Sequence, residues 1–279
     1  MQRIGLIGLG NIGTFYSKQL LNAGYPLTAL DIDQAKLCAA VERGAAAAKT
    51  PGDVADRSDI VILSLPGSPQ VEAVMDGADG ILGRLRPGML VIDTSTCRPS
   101  TAVKYEKLCA EKSAGFIDAP LTWRKPGQII MVGGTTENFA KGEEVLKVLS
   151  YKLKHIGPIG SGQLLKAINQ SILADRVAIQ AENFEFAKMV GLDPALIKDF
   201  LELDLPDAFF TNDFAGGGHL ALHYKDLGYI AEIAHDSGAQ IPLTSLVHEI
   251  FKAEWLHGER NWFQTGIIHY WRRLNQKRQ

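Results

Sequence analysis

Three glycines within the first thirteen residues constrain this chain more than any other feature. Gly8, Gly10 and Gly13 stand in the order G-x-G-x-x-G, after the apolar run Arg3 to Ile7 and at the start of an amphipathic stretch, Ile12 to Ala23. A strand that turns into a helix over such a triplet opens a dinucleotide-binding α/β unit. Gly8 makes the tight turn, Gly10 lets the backbone approach a pyrophosphate, and Gly13 lets the helix pack close to the strand. The helix N-terminus then faces the phosphate charge, with Asn11 and Ile12 expected beside the cofactor.

Asp31 strengthens this reading. It ends the second apolar run, eighteen residues after Gly13. A carboxylate there accepts hydrogen bonds from both adenosine ribose hydroxyls and repels a 2′-phosphate. Ile32 follows, where an arginine would favour NADP, so NAD is the expected cofactor and NADP the weaker possibility. Asp33 is read as the N-cap of the next helix.

Further apolar runs follow at Ile60 to Leu65, Met89 to Asp93, Gly115 to Asp118 and Ile129 to Val132. Helical stretches at Asp33 to Arg43, Pro69 to Met75 and Ser100 to Lys112 fall between them. Continuous apolar strands alternating with helices predict a doubly wound parallel sheet, covered on both faces. From Gly162 onward no β-alternation is visible. Gln163 to Val190 reads as one helix, followed by helices at Pro194 to Leu203, His219 to Ser237, Leu243 to His257 and Trp262 to Leu274. The expected organisation is an α/β Rossmann domain over residues 1–160 and an all-helical domain over 161–279. Gly157 to Gly162 is the linker and the long helix joins the domains.

Composition excludes several function classes. With 279 residues, two domains are expected. Lys plus Arg is 29 and Asp plus Glu 31, without the concentrated positive field that nucleic-acid binding requires. The basic end, Arg272 to Gln279, is read as a solvated helix terminus. No apolar run is long enough to span a membrane. Cys38, Cys97 and Cys109 form no C-x-x-C pair, so reduced thiols in a cytoplasmic protein are expected, with no disulfide and no metal. Trp255, Trp262 and Trp271 are assigned to packing.

Five motifs in order give the chain a family likeness: Gly8 to Gly13, Asp93-Thr94-Ser95-Thr96, Asp118-Ala119-Pro120, Gly160 to Gln170 and Lys225-Asp226-Leu227. It resembles the β-hydroxyacid dehydrogenase family, which includes 3-hydroxyisobutyrate dehydrogenase and, more distantly, 6-phosphogluconate dehydrogenase. The resemblance implies that Lys166 is the general acid/base of a hydride transfer between a small β-hydroxy acid and its semialdehyde or ketone. From the residues alone, Lys166 stands near the start of the long helix, at the mouth of a cleft between domains, with Asn169 and Gln170 on its face at i+3 and i+4. A lysine base needs a pKa below the ordinary 10.4 or so. The resemblance also brings the Leu65-Pro66 loop, Thr96 and Lys225 to the cofactor, and Ser95 to nicotinamide and substrate. It implies a homodimer or homotetramer.

The likeness fails at one loop. The family continues D-A-P-V-S-G-G, and its small residues cradle a substrate carboxylate. This chain reads Asp118-Ala119-Pro120-Leu121-Thr122-Trp123-Arg124. Thr122 can replace the serine hydroxyl, whereas Trp123 and Arg124 replace two glycines. Arg124 is therefore expected either to clamp a small anionic substrate through bidentate bonds or to be an exposed loop residue. Alternative functions on this scaffold are reduction of an imine or another carbonyl, and a catalytically silent NAD-binding protein. A short-chain dehydrogenase is excluded because no tyrosine has a lysine four residues later.

Overall fold

The computed structural model describes residues 1–276. Its contacts divide the chain into two compact units, Met1–Lys166 and Ala167–Gln279.

The first unit is built on nine strands: β1 (Ile4–Ile7), β2 (Leu27–Leu30), β3 (Ala46–Ala47), β4 (Ile60–Leu63), β5 (Leu90–Asp93), β6 (Gly115–Asp118), β7 (Leu121–Arg124), β8 (Gly127–Gly133) and β9 (Lys152–Gly157). Helices α1 (Asn11–Asn22), α2 (Gln34–Val41), α3 (Pro51–Asp56), α4 (Ser68–Asp76), α5 (Pro99–Ala110) and α6 (Thr136–Leu149) connect them. The strand order is β3-β2-β1-β4-β5-β6-β8-β7, with β9 paired to β8. The first six positions in that order are parallel. This is the doubly wound arrangement, in which ligands bind beyond the carboxyl ends of the strands. Alternate residues of each strand enter opposite cores. Ile4, Leu6, Ile60, Ile62, Leu90, Ile92 and Ile117 fill one. Ile7, Val61, Leu63, Val91 and Phe116 fill the other.

In this unit three strands and two α-helices lie outside the sequence expectation. β3 is two alanines held beside β2, and β9 carries no apolar run. β7 pairs antiparallel with β8, so Thr122, Trp123 and Arg124 form a hairpin strand rather than a loop. α3 and α6 begin at Thr50 and Thr135, whose hydroxyls cap them by accepting from Asp53 and Asn138 N–H. Asp33 caps α2 as expected, accepting from Ala35 and Lys36 N–H.

Helix α7 (Ser161–Met189) begins in the expected linker and runs into the second unit. That unit continues with α8 (Ala195–Asp199), α9 (Ala208–Thr211), α10 (Leu220–Ser237), α11 (Pro242–His257) and α12 (Ile268–Gln276). The helix expected to run to Leu203 stops at Asp199, and the last one starts with a short 3-10 turn at Gln264–Ile267. Phe184, Leu205, Phe209, Leu227, Phe251 and Trp271 share the core. Trp255 stacks on Tyr224, and Trp262 packs at a tilt against His269, in keeping with packing roles.

The basic terminus corrects the sequence reading. Arg272 Nε donates to Glu185 at 2.9 Å and its Nη1 to Asn212 at 2.7 Å. Arg273 grips both oxygens of fully buried Glu254, at 3.0 and 2.6 Å. These guanidiniums neutralise buried carboxylates, which a solvated end would not do. Residues 277–279 of the basic end lie outside the described residues.

Candidate active site

The glycine turn has the geometry that its spacing predicts. Gly8 has φ +97°, and a Cβ there would meet the Ser64 carbonyl oxygen at 2.2 Å. A Cβ on Gly13 would stand 1.9 Å from the Gly8 carbonyl oxygen, so only glycine lets α1 lie this close to β1. Gly10 is different, with nothing within 4 Å of a Cβ. It is also the N-cap of α1, and no side chain caps that end. Open space before uncapped N–H groups, at Asn11 and Ile12, fits a pyrophosphate. The Asp31 carboxylate borders this turn, accepting from Leu9 N–H and, at 2.7 Å, from Asp33 N–H. Ile32 beside it is fully exposed and brings no positive charge. These residues fit a dinucleotide: the turn and α1 would hold its phosphates, and Asp31 its ribose.

The loop after β5 is tied down from three sides. Asp93 accepts from Ser95 N–H at 2.9 Å. Ser95 Oγ accepts from Leu65 N–H at 3.0 Å, which joins this loop to the Leu65-Pro66 exit of β4. Ser95 is therefore buried and braced, while Thr96 beside it is half-buried. Gln163 closes the third side. Its Nε2 donates to the Ser95 carbonyl at 2.8 Å, and its Oε1 accepts from Cys97 N–H at 3.0 Å.

Asp118 ends β6 and holds the start of α7. Its two oxygens accept from Gly160 N–H at 2.7 Å and Gln163 N–H at 2.8 Å. Burial pushes the Asp118 carboxyl above its ordinary range, while these N–H groups oppose the rise. Lys166, three residues after Gln163, is 7% exposed. Asp118 and Gln163 were read only as parts of motifs. Nothing local signals their work, because each partner is more than forty residues away.

In the second unit, the structure joins two motifs that lie far apart in the chain. Asn169 Nδ2 donates to Gln170 Oε1 at 3.0 Å, and Gln170 Nε2 donates to Asp226 Oδ2 at 2.7 Å. Lys225 Nζ stands 3.1 Å from the other Asp226 oxygen and over the Tyr229 ring. Asp226 is buried, so this is not an ordinary surface pair. Gln170, expected at the proton-transfer site, braces Asp226.

The pleat separates the residues of the β7 hairpin. Trp123 stands opposite Gln128, on the face of core residue Ile130, and packs edge-on against Phe15 of α1 at 5.8 Å. Thr122 and Arg124 alternate with it and lie on the other face, which β8 continues through Met131 and Gly133 to Asp118. Arg124 Nη1 donates to Thr122 Oγ1 at 3.1 Å and to the Trp123 carbonyl at 2.8 Å. Thr122 and Arg124 thus share the face that leads to Asp118 and are bonded to each other, and Trp123 lies on the face that packs against α1.

His219 and His223 stand four residues apart, a spacing that metal sites use. His219 Nδ1 is paired with the Asn261 carbonyl, and His223 stacks on Phe251. Among the described residues, no three His, Cys, Asp or Glu side chains gather as a metal site. Burial pushes the Cys109 thiol up to about 12, far from a reactive thiolate.

Two family models cover nearly the whole chain. Residues 3–157 match the NAD binding domain of 6-phosphogluconate dehydrogenase. Residues 160–271 match the NAD-binding domain of NADP-dependent 3-hydroxyisobutyrate dehydrogenase. With the glycine turn and Asp31, these make the protein an NAD-dependent oxidoreductase. Among its relatives is 2-(hydroxymethyl)glutarate dehydrogenase of Eubacterium barkeri, 31% identical over 98% of this chain and 95% of the relative. Mouse mitochondrial 3-hydroxyisobutyrate dehydrogenase is 32% identical over 89% of this chain and 81% of its own. The solved 3-hydroxyisobutyrate dehydrogenase of Mycobacterium tuberculosis, described with L-serine, superposes with a TM-score of 0.87 at 26% identity, covering 98% of this chain and 99% of that one. The chain belongs to the β-hydroxyacid dehydrogenase family and is a hydroxyacid dehydrogenase acting on a CH–OH group.

Proposed function

We propose that the protein oxidises the hydroxyl of a small β-hydroxy acid to the semialdehyde or ketone, with Lys166 carrying the proton. The observation behind this reading is a nearly buried lysine, one turn after a helix start that is locked to the carboxyl edge of the sheet. Bound NAD supplies the hydride acceptor. Lys166 Nζ takes the hydroxyl proton as hydride leaves the carbinol carbon, and returns it in the reverse reaction. Asn169 hydrogen-bonds the substrate, and Gln170 keeps Asp226 and Lys225 in place for the cofactor. Ser95 and Thr96 face nicotinamide and substrate across the braced loop.

Thr122 and Arg124 receive the substrate's carboxylate or an equivalent anion, supported by their shared face. Trp123, on the opposite face, packs against Phe15 of α1 and backs the strand that carries them. The protein acts in the cytoplasm as a homo-oligomer. Exposed Leu165, Ile172, Ile179 and Phe186 repeat every seven residues along α7, which supports helix–helix association.

The test is absorbance at 340 nm with NAD or NADP and 3-hydroxyisobutyrate, 2-(hydroxymethyl)glutarate, L-serine and sulfonate or phosphate analogues. Turnover of one anion class with NAD is expected. Lys166→Ala should lower kcat at least ~10³-fold and leave the NAD Kd within about twofold. Near-normal turnover would remove Lys166 from the mechanism. Arg124→Ala should raise KM about tenfold, as loss of one charged hydrogen bond does, with kcat nearly kept.

A further inference from the structure

Lys166 is the sixth residue of a helix, so whatever fixes that helix sets where its side chain starts. Two motions must be stopped: sliding along the axis and rotation about it. The Asp118 carboxylate stops the first. It holds Gly160 and Gln163 N–H groups at 2.7 and 2.8 Å, close to the helix axis. Gly162 adds a seat, because a Cβ there would meet the Met131 carbonyl oxygen at 2.4 Å and Asp118 Oδ2 at 2.7 Å.

Bonds near the axis resist rotation poorly, because they have little leverage. In the first turn, an off-axis contact is made by the Gln163 amide, 1% exposed, which both donates to Ser95 and accepts from Cys97. These partners flank Thr96, in the loop that Asp93 and Leu65 also brace. Gln163 and Lys166 are i, i+3 neighbours on one helix face. A lysine amine lies roughly 8 Å from its helix axis, so about 10° of rotation moves it roughly 1.4 Å, and an error near 1 Å can cost ~10²-fold in rate.

We propose that Gln163 is the positioning residue for Lys166: its amide fixes the rotation of the first turns of α7 against the loop that follows β5 and so sets where the lysine side chain starts. The proposal rests on the reading of Lys166 as proton carrier, and adds a residue that touches neither substrate nor cofactor. Gln163→Met keeps the length and the apolar stem and removes both hydrogen bonds. Gln163→Glu keeps the acceptor for Cys97 N–H and removes the donor to Ser95.

The experiment is amine labelling of the full-length chain with acetic anhydride between pH 7 and 11, read lysine by lysine by peptide mass spectrometry. In Gln163→Met, the Lys166 rate should rise about fivefold or more and its titration midpoint should move. Lys188, on the same helix, should label as in the parent chain. NAD affinity should stay within about twofold, and with any substrate the parent turns over, kcat should fall ~30-fold or more with little change in KM. Gln163→Glu should fall between parent and Gln163→Met, and it decides the matter if the methionine variant does not fold. An unchanged Lys166 labelling profile, or a rise shared equally by Lys188, overturns the proposal. Labelling needs no substrate, so silence of the parent chain toward every hydroxy acid would count against the proton-carrier reading alone.

Discussion

Asp93 and Asp118 end neighbouring strands in register, and both are fully buried. Asp93 Oδ2 has no hydrogen-bond partner, and burial pushes the Asp93 carboxyl up to about 6. The native state therefore binds its proton more tightly than the unfolded chain does. The stability that this proton provides is fully present below about pH 4 and is lost as the pH rises through about 6. Asp93→Asn keeps an acceptor for Ser95 N–H and removes the buried charge. Thermal melts should show the variant gaining on the parent chain between pH 4.5 and pH 8, by on the order of 2 kcal/mol. A melting-point difference equal at both pH values would mean that Asp93 does not titrate as described. At this scale the glycine turn and the Asp33 cap were legible, because each acts on backbone within a few residues. The duties of Asp118 and Gln163 were not, because their partners come from other strands and loops.

Among the elements, α12 shows how a charge pattern can mislead. Two adjacent arginines at a helix end look solvated by composition. In the fold, Glu185 and Glu254 are buried on α7 and α11, and the arginines neutralise them. Removing one partner leaves an uncompensated buried carboxylate, so Arg273→Ala should cost about 3 kcal/mol. Denaturant unfolding checks this; a loss below about 0.5 kcal/mol would put the pair with ordinary surface bridges. The long apolar strands and α7 were recognisable because their periodicity is strong. β3, β7 and β9 were not, since two alanines, Leu-Thr-Trp-Arg and a lysine-rich run become strands only through a neighbouring ladder. That ladder also decides that Trp123 faces away from Thr122 and Arg124.

For the molecule as a whole, the exposed apolar repeat of α7 argues for self-association. Ile172 and Ile179 are each about 60% exposed. A charge at both positions would stand in any helix–helix seam, where its desolvation is unfavourable. Ile172→Lys with Ile179→Lys should sediment as a monomer, with far-UV circular dichroism unchanged. An oligomer of the parent's size would place the association elsewhere. No helix among the described residues is long and apolar enough to cross a membrane.

The amino-acid sequence by itself determined the doubly wound sheet, the glycine turn and the lysine-bearing helix. Each is encoded by local periodicity or by a backbone position that tolerates only glycine. The tertiary structure alone decided what braces the lysine, which face of the hairpin Arg124 serves and what the terminal arginines hold. Those outcomes depend on strand register and burial, which bring together groups that no spacing along the chain relates.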